Sequence, residues 1–308
     1  MTSVLQVTAP IYLLIGVGFL SVWAGYLDAS VVRSLGAFVI RICIPAMIFS
    51  AVSGSGGEPL NWAFISAYGT ASLLVFSLGV FLMLVLRRRP LPVSSISALG
   101  MANSNSGFMG YPIAALVIGS PAVSILAWVM VFENMLMIPL AIAIADAGMF
   151  RNRTFLAAFG LALRDLPRNP IVIGLVAGLV VNVSGVGVPG VLDTFLGYLV
   201  SAAPVVALFT VGGTVAAYPV PRIAVDTGLI TMGKLVLHPL AAYLALSLVP
   251  GLDHLLLIGG VLFASVPMLS IFPIFGQRYG IESLTATTLV VTTTVSFATV
   301  SLLILMVQ

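Results

Sequence analysis

Two stretches of this chain set polar and helix-breaking residues among apolar neighbours. The first is Asn103-Ser104-Asn105-Ser106-Gly107-Phe108-Met109-Gly110-Tyr111-Pro112; the second is Ser265-Val266-Pro267-Met268-Leu269-Ser270, followed by Pro273. Pro112 lacks an N–H and disturbs the turn before it, which frees carbonyls four residues back. An interrupted helix also exposes the N–H groups at the start of its second half. Those groups carry partial positive charge, and with nearby side-chain amides they suit a carboxylate. The plainer alternative is a pair of packing kinks, with Gly and Ser serving close helix contact.

Four ionisable residues also stand inside long apolar runs: Arg41, Glu133, Lys234 and His238. Arg41 is about 12 Å of helix from the nearer end of its run, and it either snorkels, anchors a substrate carboxylate or pairs with Glu133. Glu133, near the middle of its run, is a candidate proton carrier or a static hydrogen-bonded acid. Lys234 and His238 are i and i+4, on one helix face, and either satisfy neighbours or take part in proton movement. Other chemistries find no footing. Cys43 stands alone, the two histidines His238 and His254 are far apart, and no metal-ligand spacing occurs. A phosphate-cradling Gly-x4-Gly-Lys loop is missing, as is a nucleophile context such as Gly-x-Ser-x-Gly. No cofactor is expected.

The elements that must hold these residues follow from composition. A soluble domain of this length carries roughly 77 charged residues; this one has 12 basic and 9 acidic residues among 308, with 60% apolar residues and a mean hydropathy of +1.22. That excludes a soluble enzyme, a disordered chain and a nucleic-acid binder. The chain reads as an all-α membrane protein. A crossing helix needs about 20 mostly apolar residues, and ten such segments are present, at about 7–26, 31–53, 62–86, 94–118, 122–145, 169–185, 190–216, 226–249, 254–278 and 283–307. The first has no basic stretch before it, unlike a cleavable signal.

Ten spans put alternate loops on opposite faces. One set of loops holds Arg33, Arg87, Arg88, Arg89, Arg151, Arg153, Arg164, Arg168, Arg222 and Arg278, which is 10 of the 12 basic residues. The other set, with both termini, holds none and carries Glu58, Asp193 and Asp253. Basic loops stay cytoplasmic, so both termini are expected outside. An offset of 160 pairs Pro10 with Pro170, Gly18 with Gly178, Phe49 with Phe209, Pro59 with Pro219, Pro90 with Pro250 and Gly100 with Gly260. Five helices per half then make an inverted repeat, divided as residues 1–145, a cytoplasmic connector at 146–168, and residues 169–308. The two interrupted segments, helices 4 and 9, fall at equivalent places of the two halves.

The run Asn105 to Pro112, followed by Gly119, resembles the fourth-helix motif of the auxin efflux carrier family, bacterial branch included. Pro267 through Tyr279-Gly280 resembles its ninth-helix segment. Arg168-Asn169-Pro170 and Lys234-x4-Pro239 are similar to its sixth and eighth helices. The resemblance spans the chain and implies a secondary carrier of small organic anions, in which the broken helices 4 and 9 cross at the site and Asn105 is the crossover asparagine that holds a carboxylate. Plant members have a proline where this chain has Ser104, and an amide where it has Met268. Both departures weigh against auxin, and bacterial relatives are associated with malonate, malate and similar acids.

The resulting expectation is a carrier of a small carboxylate or dicarboxylate, working by alternating access with proton or potential coupling. The expected substrate site is Asn103, Asn105, Ser106, Gly107 and Pro112 on the first broken helix, Pro267 and Ser270 on the second, and Arg41. Glu133, Lys234 and His238 are the proton-coupling candidates. A bacterial-type inner membrane is the expected location, and a homodimer is compatible with the resemblance. The competing readings are a sodium-coupled anion symporter or cation/proton antiporter, and, from another class, an intramembrane sensor or enzyme.

Overall fold

A computed structural model describes residues 2–53, 60–150, 154–217 and 224–307. Glu58, Arg151, Arg153 and Arg222, and the repeat partners Pro59 and Pro219, lie outside the described residues. The described chain is helical, with no strand. In order, the helices are α1 (Thr2–Trp23), α2 (Ala29–Ser53), α3 (Trp62–Leu86), α4 (Leu91–Ala102), α5 (Tyr111–Ile118), α6 (Pro121–Met149), α7 (Phe155–Arg164), α8 (Pro170–Ser184), α9 (Gly190–Ala217), α10 (Val225–Ser247), α11 (His254–Ser265), α12 (Phe272–Arg278) and α13 (Glu282–Val307).

Six of these, α2, α3, α6, α9, α10 and α13, are long and apolar enough to cross a membrane, and α7 with α8 forms a bent seventh candidate. The connector expected at 146–168 is largely helical: α6 runs on to Met149, and α7 is capped by Thr154, whose side chain accepts from the Ala157 N–H. Large apolar side chains such as Leu13, Leu74, Val183 and Met306 point outward. Lipid tolerates a surface that would drive aggregation in water.

Two bundles result. In one, α1 packs along α9, and α2 packs against α8 and α9; in the other, α3, α4, α6, α10, α11 and α13 pack around one another with the short helices α5 and α12. The bundles meet where α2 touches α6 and where α9 touches the turn before α5. Packing in the first bundle is backbone-close. A Cβ on Gly18 would fall on the Phe209 carbonyl oxygen, and one on Gly178 would lie 3.0 Å from the Phe49 carbonyl oxygen.

Proline shapes the spans more than it breaks them. Its missing N–H and its ring disturb the preceding turn, and one extra residue per turn, a π-turn, accommodates this. Val39–Cys43, Ser106–Gly110, Glu133–Met137 and Gly233–Leu237 are such turns, and Pro45, Pro112, Pro139 and Pro239 each stand two residues past one. Arg41, Ser106, Glu133 and Lys234 all sit in these widened turns.

Candidate functional site

Both interrupted segments are broken in the structure. Residues 103–105 are unwound between α4 and the π-turn that leads into α5, and α11 ends at Ser265 before α12 begins at Phe272. The unwinding lies seven to nine residues before Pro112, so proline accounts for the π-turn and not for the break. Cross-helix bonding explains the break itself. The Asn105 N–H donates to the Pro267 carbonyl at 2.8 Å, and Asn105 Nδ2 donates to Ser270 Oγ at 2.8 Å. Backbone groups released from one broken helix are thus satisfied by the other, as an apolar surrounding requires.

Glu133 on α6 is buried against this crossing. Its carboxylate accepts the Ser104 N–H at 3.0 Å and the Ser106 hydroxyl at 2.9 Å. An anion therefore already stands at the start of the second half-helix, where unpaired N–H groups concentrate positive charge. On the opposite side of Ser104, the fully buried Lys234 donates to Ser104 Oγ at 2.7 Å and to the Ala264 carbonyl at 2.8 Å. Its ammonium thus caps the carbonyl end of α11, again the end that favours its charge. Lys234 Nζ is also 2.7 Å from His238 Nδ1, and His238 Nε2 is 2.9 Å from Ser72 Oγ. The Tyr68 ring stands edge-on to His238, with centroids 5.7 Å apart.

A small cavity of about 90 Å³ lies at the crossing, lined among others by Asn103, Asn105, Ser106, Gly107, Glu133 and Ser270. Room of that size fits a few water-sized groups or a small anion. Asn103 is buried here, and its carboxamide oxygen has no hydrogen-bond partner among the described residues. A wider cavity of about 510 Å³ adjoins it through Ile40, Phe108, Ser270 and Ile271, and its walls include Arg33, Arg41, Thr210, Thr214 and Glu282. Arg41 belongs to this vestibule. Glu133 is held by neutral donors at the crossing, and the described residues show no Arg41–Glu133 ion pair.

Of the residues expected from sequence, the structure brings Asn103, Asn105, Ser106, Gly107, Glu133 and Ser270 to one cavity, with the Pro267 carbonyl bonded beside it. Lys234 and His238 stand behind Ser104, Arg41 faces the vestibule, and Pro112 sits in the first turn of α5. Sequence reasoning missed Ser104 as the residue that joins Glu133 to Lys234. It also missed two acid clamps. Asp226 accepts from Arg87 Nε and Arg89 Nε, both at 2.7 Å, and Asp146 pairs with Arg278 at 2.7 Å while accepting the Tyr279 hydroxyl at 2.7 Å. Burial, and then the bond to Asp146, push the Tyr279 hydroxyl well above the usual tyrosine range, so it serves as a donor at any ordinary pH.

Broken helices that meet at a buried polar cavity suit a membrane transporter. The family described as "Membrane transport protein" matches residues 3–306, and the chain belongs to it, the auxin efflux carrier family that its motifs resemble. It is 32% identical over 301 residues, 93% of this chain and 92% of the relative, to a Rhizobium meliloti (strain 1021) protein named "Putative malonate transporter".

Proposed function

We propose that this protein carries a small dicarboxylate of the malonate type across a bacterial-type plasma membrane by alternating access, one proton accompanying each anion. The observation that carries the reading is the occupancy of the half-helix start by Glu133. A substrate carboxylate drawn to the Ser106, Gly107 and Phe108 N–H groups meets the Glu133 carboxylate in the same small cavity, and two anions there repel. A proton on Glu133 removes the conflict, so anion and proton bind together. Asn103 supplies a further amide that can turn its NH₂ toward the substrate, while Asn105 is held to Ser270 and keeps the crossing in register. Arg41 and Arg33 lend the vestibule the field that draws anions inward. The name of the Rhizobium relative supports the choice of malonate.

Alternating access comes from ten spans in two inverted five-helix halves, 1–145 and 169–308, with both termini extracytoplasmic. Support lies in the packing. The halves exchange α1 with α8 and α2 with α9, and the contact of α1 with α9 becomes the contact of α2 with α8, the main packing pairs of the first bundle. The repeat partners Gly18 and Gly178 press on the repeat partners Phe209 and Phe49. The ion pairs Arg87–Asp226, Arg89–Asp226 and Arg278–Asp146 each tie one part of the second bundle to another, which suits movement of that bundle as a unit against the first. The loops and helix ends bearing Arg33, Arg87 to Arg89 and Arg278 face the cytoplasm on this reading, so the vestibule opens inward.

The test is uptake and counterflow in proteoliposomes with a panel of mono- and dicarboxylates, comparing wild type with Asn105→Ala and Glu133→Gln. Malonate-class uptake driven by an inward proton gradient, and lost in both variants, is the expected result. Gradient-driven uptake at wild-type rate in both variants overturns the site.

A further inference from the structure

We propose that the interface between α10 and α13 is a proton path joining the basic-loop face of the protein to Lys234, separate from the vestibule that admits the anion. The inference rests on the proton-coupled reading above.

Four residues of α10, Thr227, Thr231, Lys234 and His238, follow one another at intervals of four, three and four. They therefore share one helix face and span about 16 Å along the axis. All four are buried. Facing them on α13 are Thr288 and Thr292, one turn apart and also buried. Thr288 Oγ1 is 3.4 Å from Thr227 Oγ1, and Thr231 Oγ1 is 2.8 Å from Thr292 Oγ1. A hydroxyl donates one hydrogen bond and accepts others, so paired hydroxyls can pass a proton on by exchanging bonds.

The ends of the column suit that role. At the outer end a cavity of about 390 Å³ is lined by Arg89, Asp226, Thr227, Ser283 and Thr287, on the side of the basic loops. At the inner end Lys234 bonds Ser104, whose N–H holds Glu133. A proton arriving at Lys234 is thus one residue away from the acid at the anion cavity.

Helix α4 adds an independent sign. It packs against the first turns of α10 and against the Gly233–Leu237 turn. Val93 of α4 lines the outer cavity with Asp226 and Thr227, and Met101 meets Gly233. Ser97 lies midway between them along α4. Its hydroxyl is buried with no hydrogen-bond partner among the described residues, the kind of group that water normally satisfies. Tight packing alone would explain hydroxyls bonded back to their own helix, as Thr288 is to the Leu284 carbonyl. It does not explain hydroxyls paired across the interface on the helix face that also carries Lys234. The charged and titratable groups facing the column are Asp226 with Arg87 and Arg89 at the mouth, His238 and Tyr68 beside Lys234, and Glu133 beyond Ser104.

The Lys234 ammonium gives one proton to the crossing, and the neutral amine is recharged by a proton that enters from cytoplasmic water at the outer cavity and exchanges along Thr227/Thr288 and Thr231/Thr292; the reverse sequence releases it. Full-length protein is reconstituted in liposomes enclosing a pH-sensitive dye, and internal pH and labelled malonate are followed together. The double variant Thr231→Val with Thr292→Val is compared with Thr294→Val, a lipid-facing control. The expected result is at least a tenfold slower proton-coupled flux in the double variant, with malonate affinity and malonate counterflow at wild-type values. Proton-coupled flux at wild-type rate in the folded double variant overturns the path. Malonate flux in wild type with no proton movement overturns the coupled reading instead, so the two failures are distinguishable. Thr231→Ser with Thr292→Ser, which keeps the hydroxyls, is expected to restore the flux, and a slow flux there also overturns the path.

Discussion

Replacing Glu133 with Gln separates the charge of this residue from its shape. The amide keeps an oxygen to accept the Ser104 N–H, and the Ser106 hydroxyl can rotate to accept from the new NH₂. What disappears is the negative charge in a cavity of about 90 Å³ that a substrate carboxylate must share. Two unit charges about 5 Å apart, at an effective dielectric of about 20, repel by about 3 kcal/mol, which is about a hundredfold in affinity. The wild type escapes this penalty only by binding a proton with each anion, so its malonate affinity falls as pH rises through the range in which Glu133 gives up that proton. Glu133→Gln is expected to bind malonate with an affinity that no longer follows pH, about a hundredfold tighter than wild type at the alkaline end. It should support malonate counterflow and fail at accumulation driven by a proton gradient. Equilibrium binding of labelled malonate to purified protein across a pH series reads the first effect, and proteoliposome flux reads the second. A Gln variant with wild-type affinity and wild-type pH dependence would refute the reasoning. Glu133→Ala is the harsher control: it strands two buried donors at about 1–3 kcal/mol each and should lower thermal stability.

Three further outcomes follow from the geometry. Asp226→Asn weakens two charge-assisted bonds, but the arginines are 36% and 45% exposed, so after solvent screening the loss is about 1–2 kcal/mol; denaturation in detergent should show the lower midpoint. Gly18→Ala drives a methyl into the Phe209 carbonyl and should cost about 1–3 kcal/mol, more than Gly178→Ala, where the nearest oxygen is 3.0 Å away; equal midpoints for the two variants would contradict the packing described. Arg41→Gln removes a cation from the vestibule wall and should slow uptake on the order of tenfold at low ionic strength, with the deficit shrinking as salt is added; a salt-independent deficit would point to another role.

Much of the site was legible because membrane spans make polar residues conspicuous. Glu133, Lys234 and His238 stood out as ionisable groups in apolar runs, and Asn103 and Asn105 as amides in a helix that had to break. The contacts between them were not legible. Ser104 touches partners 29 and 130 positions away, and a serine carries no signal of its own in a chain of this composition. Asp146 and Asp226 read as loop acids, because their arginines lie 132 and 139 positions away. The Arg41–Glu133 pairing weighed from sequence joined the nearest available opposite charges, whereas the fold offers Glu133 neutral donors from the unwound backbone. Pro112 was expected to disturb the turn before it, and the π-turn Ser106–Gly110 is that disturbance; the unwinding at 103–105 lies further upstream. Pro45, Pro112, Pro139 and Pro239 each follow a widened turn, but Pro10 and Pro204 do not and the turn at Leu82–Leu86 has no such proline, so proline alone does not mark Arg41, Ser106, Glu133 and Lys234.

The central claim is that anion and proton bind together at the crossing. Calorimetric titration of malonate into purified protein, repeated in buffers of differing ionisation enthalpy at one pH where Glu133 is ionised in the free protein, counts protons taken up per anion bound. Wild type is predicted to take up about one proton per malonate, since Glu133 must be neutral when the anion is bound, and Glu133→Gln none. Malonate binding by wild type with no proton uptake at any pH would contradict the claim.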